Sequence, residues 1–232
     1  MQATIENTGL FSSSLPTGLT AVDREELGET DSLSRLRILQ RGQHLFRTGD
    51  RVDRVHRVVG GILKSYFIHE DGDEQVIGFH LSGDLIGCDS LADKLAAFSV
   101  VALDTSSVQR LAHPEQEQMM LSWMQDEILR LARLLHMERG GTDARLARFL
   151  LDFSEAQRRR EFSAREFHLP MGRRDLARYI GLAPETVSRI FSRLRVRGIL
   201  AVENNHIQIL DHDALEQVAR AENRQVPTHL AS

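Results

Sequence analysis

Cysteine is almost absent from this 232-residue chain, with Cys88 its single instance. A lone thiol cannot close an intrachain disulfide, and by itself it cannot hold a four-thiolate zinc or iron–sulfur site. A reducing compartment, the cytoplasm, is the expected one. Long apolar runs are missing as well. No stretch approaches the roughly 18 consecutive apolar residues of a membrane span. Met1 to Phe11 lack the basic start and apolar run of a secretion signal, so neither feature is expected. The ten histidines are scattered, with no His-x-x-x-His pair to seat a metal on one helix face. No Walker loop, no dinucleotide-type Gly-x-Gly-x-x-Gly and no nucleophile–base pair occurs, so the chain is not expected to be an enzyme.

Lysine is confined to Lys64 and Lys94, and arginine carries the remaining positive charge unevenly. Between Arg139 and Arg197 fourteen Arg face seven acids, a local charge of +7, whereas the whole chain carries −4, which leaves −11 on the remainder. A basic segment on an acidic body suits contact with phosphate, weakening as salt rises.

The most informative stretch lies inside that segment, GRRDLARYIGLAPETVSRIFSRLRVRGIL at 172–200. Leu176, Ala177 and Ile180 recur at helical spacing. Gly181 then offers the left-handed residue that ends helices. Pro184 suits the first turn of a second helix, which is expected to run over 184–196. On that helix Val187, Ile190, Phe191 and Leu194 form an anchoring face. Glu185, Ser188 and Arg189 project from the other side at i, i+3 and i+4. Glutamate can accept from cytosine N4, arginine can grip guanine O6 and N7, and serine can bond a base or a phosphate. Two β-prone runs around Asn204-Asn205 read as a hairpin, so the whole reads as a winged helix-turn-helix on double-stranded DNA. Thr186, Arg173, Arg193 and Arg195 are expected to serve phosphates or to orient the reading pair. A short strand is expected at 168–171, preceded by a helix over 142–158 with Leu146, Phe149, Leu150 and Phe153 inward.

Upstream the period is different. Glycines at 49, 60, 61, 72 and 83 leave gaps of 11 residues between short strand-like runs, which suggests a sandwich or rolled β domain over 31–115. From Met120 the apolar residues Met124, Ile128, Leu131 and Leu135 step at helical intervals, and others widen the stripe. A helix apolar on more than one face can pack one face on its own domain and another on a second copy, so 116–140 is read as a dimerisation helix and hinge. The DNA-binding domain then spans 141–222. Residues 1–30, with one short helix over 21–27, and 223–232 read as tails. The fold class is α+β.

Taken in this order, β-roll (jelly roll), long helix, hinge and winged helix resemble the Crp/Fnr family of transcription regulators, closest in its fumarate-nitrate-reductase branch. The stretches carrying the resemblance are GQHLFRTGD, GGILKSYFIHEDGDEQVIGFHLSGDLIG, LARFLLDFS, EFHLPMGRRDLARYIGLAPETVSR and GILAV, within about residues 35–220. The resemblance implies a homodimer reading an inverted repeat of TTGAT-like half-sites through Glu185, Ser188 and Arg189. It also implies contact with RNA polymerase, for which EDGDE at 70–74 lies at one of the family's contact loops.

Two departures bear on the signal. The branch's oxygen sensor takes its iron–sulfur cluster from N-terminal cysteines and one in the β domain. Residues 1–30 have none, and the β-domain position falls on Gln109. The cyclic-nucleotide branch needs Gly-Glu-Leu and a downstream Arg-Ser pair. Here Asp84 stands for the Glu, and Ala97, Phe98 and Ser99 offer no Arg. Neither an iron–sulfur cluster nor cyclic AMP is expected. Cys88 reads as a core residue, with a redox switch as its other role. Haem or another small effector remains open, with His44, His80 or His136 as candidate axial ligands. A competing reading is a small-ligand or haem sensor whose main output is protein–protein contact.

Overall fold

The computed structural model describes residues 36–111, 120–121, 123–125, 127–128, 130–131 and 141–221. Both predicted tails, the predicted helix over 21–27, Leu135 and His136 lie outside the described residues.

The N-terminal domain is a sandwich of two four-stranded antiparallel sheets. One has the order β1 (Leu36–Leu39), β8 (Ser106–Arg110), β3 (His56–Gly60), β6 (Leu85–Ile86); the other has β2 (His44–Phe46), β7 (Ser99–Ala102), β4 (Leu63–Ile68), β5 (Glu74–His80). The alternating pattern decides the inner face. Val58 pairs with Val108, and both are fully buried with Leu39, Phe46, Leu63, Ile86 and Val100 between the sheets. Arg57 and Val59, one residue either side, point outward. Gly61 turns β3 into β4 at φ +78°, where an added Cβ would lie 2.6 Å from Ser106 Cα. Only glycine fits that turn.

Residues of the central helix are helical from 120 to 131 wherever described. Met120 and Trp123 pack against Val55, Leu85, Cys88 and Leu111 of the same chain's β-roll, whereas Leu121, Met124, Ile128 and Leu131 are exposed. Met120, at the start of the expected dimerising stripe, is half-buried against its own β-roll, because that end of the helix lies beside Val55, Leu85 and Leu111.

The C-terminal domain begins with α1 (Thr142–Arg159), then β9 (Glu166–His168), α2 (Arg173–Ile180), α3 (Pro184–Val196), the hairpin β10 (Leu200–Glu203) and β11 (His206–Ile209), and α4 (His212–Arg220). The strand expected at 168–171 lies two residues earlier, because Phe167 pairs with Ile207 while Leu169 and Met171 leave the ladder to fill the core. Gly181 caps α2 at φ +68° and Asn204 turns the hairpin at φ +56°. Asp211 accepts from the Ala214 amide at 2.9 Å to start α4.

The two domains share one core. Ile62, Val76, Phe79 and Leu81 of the β-roll are buried in one cluster with Phe149, Phe153, Leu176, Tyr179 and Ile190 of the winged helix. Phe79 lies 5.1 Å from Tyr179 and 6.3 Å from Phe149, centroid to centroid, in edge-to-face contacts.

Candidate nucleic-acid interface

Helix α3 is anchored by its apolar side. Val187, Ile190, Phe191 and Leu194 are buried, and α2 supplies the small Ala177 that lets the two helices approach. The opposite side is open: Glu185, Ser188, Arg189, Ser192, Arg193 and Arg195 are exposed, and Thr186 is half-buried. Among the described residues no ion pair or side-chain hydrogen bond engages Glu185 or Arg189. The Ser188 hydroxyl donates back to the Pro184 carbonyl at 3.0 Å, and Ser192 does the same to Ser188 at 3.1 Å. Each hydroxyl then keeps its lone pairs to accept from outside.

Two of the supporting arginines are held within the chain. Arg173 lays its guanidinium over the Phe191 ring, 3.9 Å from the centroid, and donates to the Asn204 carbonyl at 2.9 Å. Desolvation there lowers its pKa. The geometry ties the start of α2 to α3 and to the hairpin tip, so the Arg173 guanidinium is engaged within the chain. Arg193 is paired with Asp143 in the first turn of α1, its Nε 3.1 Å from Oδ2. That pair raises the Arg193 pKa. Arg195 stays exposed. Sequence reasoning could not separate these roles, because the partners Asn204 and Asp143 are 31 and 50 residues away.

The candidate effector residues are placed as follows. Asp84 accepts from the Leu81 amide at 2.8 Å and from Arg160 at 2.7 Å. Ser99 accepts from the Thr48 amide at 3.1 Å, and Phe98 packs on the apolar inner core. A cyclic phosphate needs a guanidinium and free polar groups here, and these residues do not fit one. Cys88 is buried, and burial pushes its thiol up to about 12. Among the described residues no group of three His, Cys, Asp or Glu could hold a metal ion. Together with the single cysteine, this donor set does not fit an iron–sulfur cluster. His44 is bonded to the Tyr66 hydroxyl and His80 to the Ser65 hydroxyl, each at 2.9 Å. A cleft of about 740 Å³ opens on the outer face of β3 against α1, lined by Arg57, Val59, Gln109, Phe153 and Phe162 among others.

A β-roll followed by a winged helix-turn-helix defines a class of DNA-binding regulator. Residues 36–122 match the cyclic nucleotide-binding domain model, and residues 144–218 match the Crp-like helix-turn-helix domain model. The chain is 36% identical over 210 residues to the fumarate and nitrate reduction regulatory protein of Escherichia coli, covering 85% of this chain and 84% of that protein. Among solved structures it is similar to FixK2 from Bradyrhizobium japonicum, with a TM-score of 0.70 and 26% identity over 80% of this chain and 97% of the other. A Crp-family regulator from Thermus thermophilus shares the fold at a TM-score of 0.66 and 21% identity, over 80% and 97% of the two chains. The chain belongs to the Crp/Fnr family of transcription regulators, with a helix-turn-helix DNA-binding domain, and is not an enzyme. Among the described residues no helix is long and apolar enough to cross a membrane.

Proposed function

We propose that the chain acts in the cytoplasm as a homodimer that reads an inverted repeat of TTGAT-like half-sites without cyclic AMP or an iron–sulfur cluster. The observation that carries this reading is the open face of α3. Glu185 and Arg189 stand exposed and unpaired within the described residues, while the opposite face is locked in the core. In a major groove Arg189 grips guanine, Glu185 accepts from cytosine, and Ser188 completes the reading. Arg195 meets phosphate. The two-fold axis of the site is matched by Met124, Ile128 and Leu131, the exposed apolar side of the central helix. The two ligand sets of the better-known branches do not fit the side chains present, which favours binding set by protein level or by an effector of another kind. Contact with RNA polymerase is assigned to the β4–β5 tip, where Glu70 and Asp71 are exposed.

The test is a fluorescence anisotropy titration of ligand-free protein onto a duplex carrying the inverted repeat, beside a scrambled duplex. Preference for the repeat supports the reading. Equal binding to both overturns effector-independent recognition of this half-site.

A further inference from the structure

We propose that Lys64 is a positioning residue for DNA reading: it clamps the helix-turn-helix to the β4–β5 hairpin and so fixes the direction in which α3 points. The inference rests on the assignment of α3 as the reading helix.

Lys64 stands in the apolar run of β4, and its side chain is only 8% exposed. Its ammonium is shared between two domains. It donates to Asp175 Oδ1 of α2 at 2.8 Å and to Glu74 Oε2 of its own hairpin at 3.2 Å, and it lies 4.9 Å from the centre of the Tyr66 ring. Glu74 is shared in turn. The same Oε2 accepts from Arg178 of α2 at 2.8 Å, and Arg178 reaches Asp73 Oδ1 at 2.8 Å. The Gln75 amide donates to the Arg178 carbonyl at 3.1 Å. One turn along α2 from Asp175, Tyr179 meets Phe79, and Arg130 of the central helix donates to the Ile77 carbonyl at 2.5 Å. Helix α2 is thus held against the β4–β5 hairpin by charge and by aromatic packing together.

The apolar half of this junction supplies burial, a driving force that is itself non-directional. Charged hydrogen bonds are directional, and in partial burial they are weakly screened. Among these groups Lys64 is the most buried charge. Among the described residues the Asp175 carboxylate is bonded by Lys64 and by no other side chain, whereas Glu74 keeps Arg178 when Lys64 is removed. The orientation of α2, and of α3 packed on it, therefore depends on this one ammonium more than on the exposed Asp73.

The experiment compares the full-length chain with Lys64→Met and Lys64→Arg. Spin labels at Arg41→Cys in the β-roll and Gln208→Cys in β11, diluted with unlabelled protein, report the distance between the domains within one chain. The parent is expected to give one narrow distribution, Lys64→Met a broad one, and Lys64→Arg a narrow one again. In parallel, each protein is titrated onto inverted repeats whose half-site separation varies one base pair at a time around a helical turn. Lys64→Met should lose about tenfold of the preference for one separation while its affinity for a single half-site stays within about threefold. An unchanged distance distribution, or a uniform loss of affinity at every separation, overturns the proposal. The distance measurement speaks to the clamp whether or not the protein prefers the repeat. Absence of any preference in the parent counts against the half-site reading instead, and an intact clamp would still appear as the narrow distribution.

Discussion

Arg160 and Asp84 form an ion pair at 2.7 Å in which each side chain is 6% exposed, between the end of α1 and the turn that leads into β6. Neither charge is left with spare polar atoms facing apolar surroundings. Arg160 also donates to the Ser82 carbonyl at 2.6 Å and the Ala156 carbonyl at 3.0 Å, while the second Asp84 oxygen accepts from the Leu81 amide. Breaking such a pair from one side strands a buried charge. Arg160→Met is expected to cost about 3–5 kcal/mol of folding stability. Adding Asp84→Asn should recover most of it, because the amide needs no counter-charge. Urea denaturation followed by circular dichroism checks both, and a double variant as unstable as the single one would show that packing, not charge, is lost.

Arg189→Ala is expected to cost about 1–3 kcal/mol per half-site and to relax discrimination at the guanine it reads. Arg195→Ala should weaken binding nearly equally across sequences and flatten the salt dependence by about one counter-ion. Titrations at several salt concentrations on matched and substituted duplexes separate the two effects.

Met124, Ile128 and Leu131 are expected to lie in the dimer interface. Ile128→Glu should turn the protein into a monomer at micromolar concentration in sedimentation velocity, and should lower affinity for the full repeat while leaving the fold intact by circular dichroism. The same change at Met120 should instead destabilise the β-roll itself, since that side chain packs on its own domain.

The buried thiol of Cys88 should resist chemistry. With its pKa pushed up to about 12, almost none is thiolate near neutral pH. Thiol-reactive dye should label the native chain far more slowly than the unfolded one, and peroxide should leave DNA binding unchanged. Fast native labelling would restore the redox reading. The raised pKa also adds stability that is fully present below the unfolded thiol's value near 9 and is lost as pH climbs toward 12.

His80 gives the opposite dependence. Desolvation, with Arg130 nearby, holds its pKa down at about 4, below the ordinary 6.5. The unfolded chain therefore takes up the proton first as pH falls. The contribution is present above about pH 6.5 and is lost on the way down through about pH 4; at full size it is about 3 kcal/mol. His56, held at about 4 by burial and then by Arg110 and Arg37, works in the same direction. Denaturation midpoints measured between about pH 7.5 and about pH 5 should drop, and His80→Gln should flatten the curve.

What the sequence determined by itself is local. Gly181 and Pro184 bracket the helix-turn-helix because one supplies a left-handed cap and the other a first-turn residue with no amide to satisfy. The 3.6 period separates Val187 and Leu194 from Glu185 and Arg189, so the exposed polar face follows from spacing alone. Tertiary structure decided everything that needed a distant partner. It sent Met120 inward and Met124 outward, gave Arg173 to Phe191 and Arg193 to Asp143, and buried Asp84 against Arg160. A lysine inside the apolar run ILKSYFI was a visible signal that a counter-charge must come from elsewhere. Asp175 lies 111 residues further on, and only the folded chain brings its carboxylate to that ammonium, because a charge drawn out of water is stable only where its partner is held beside it.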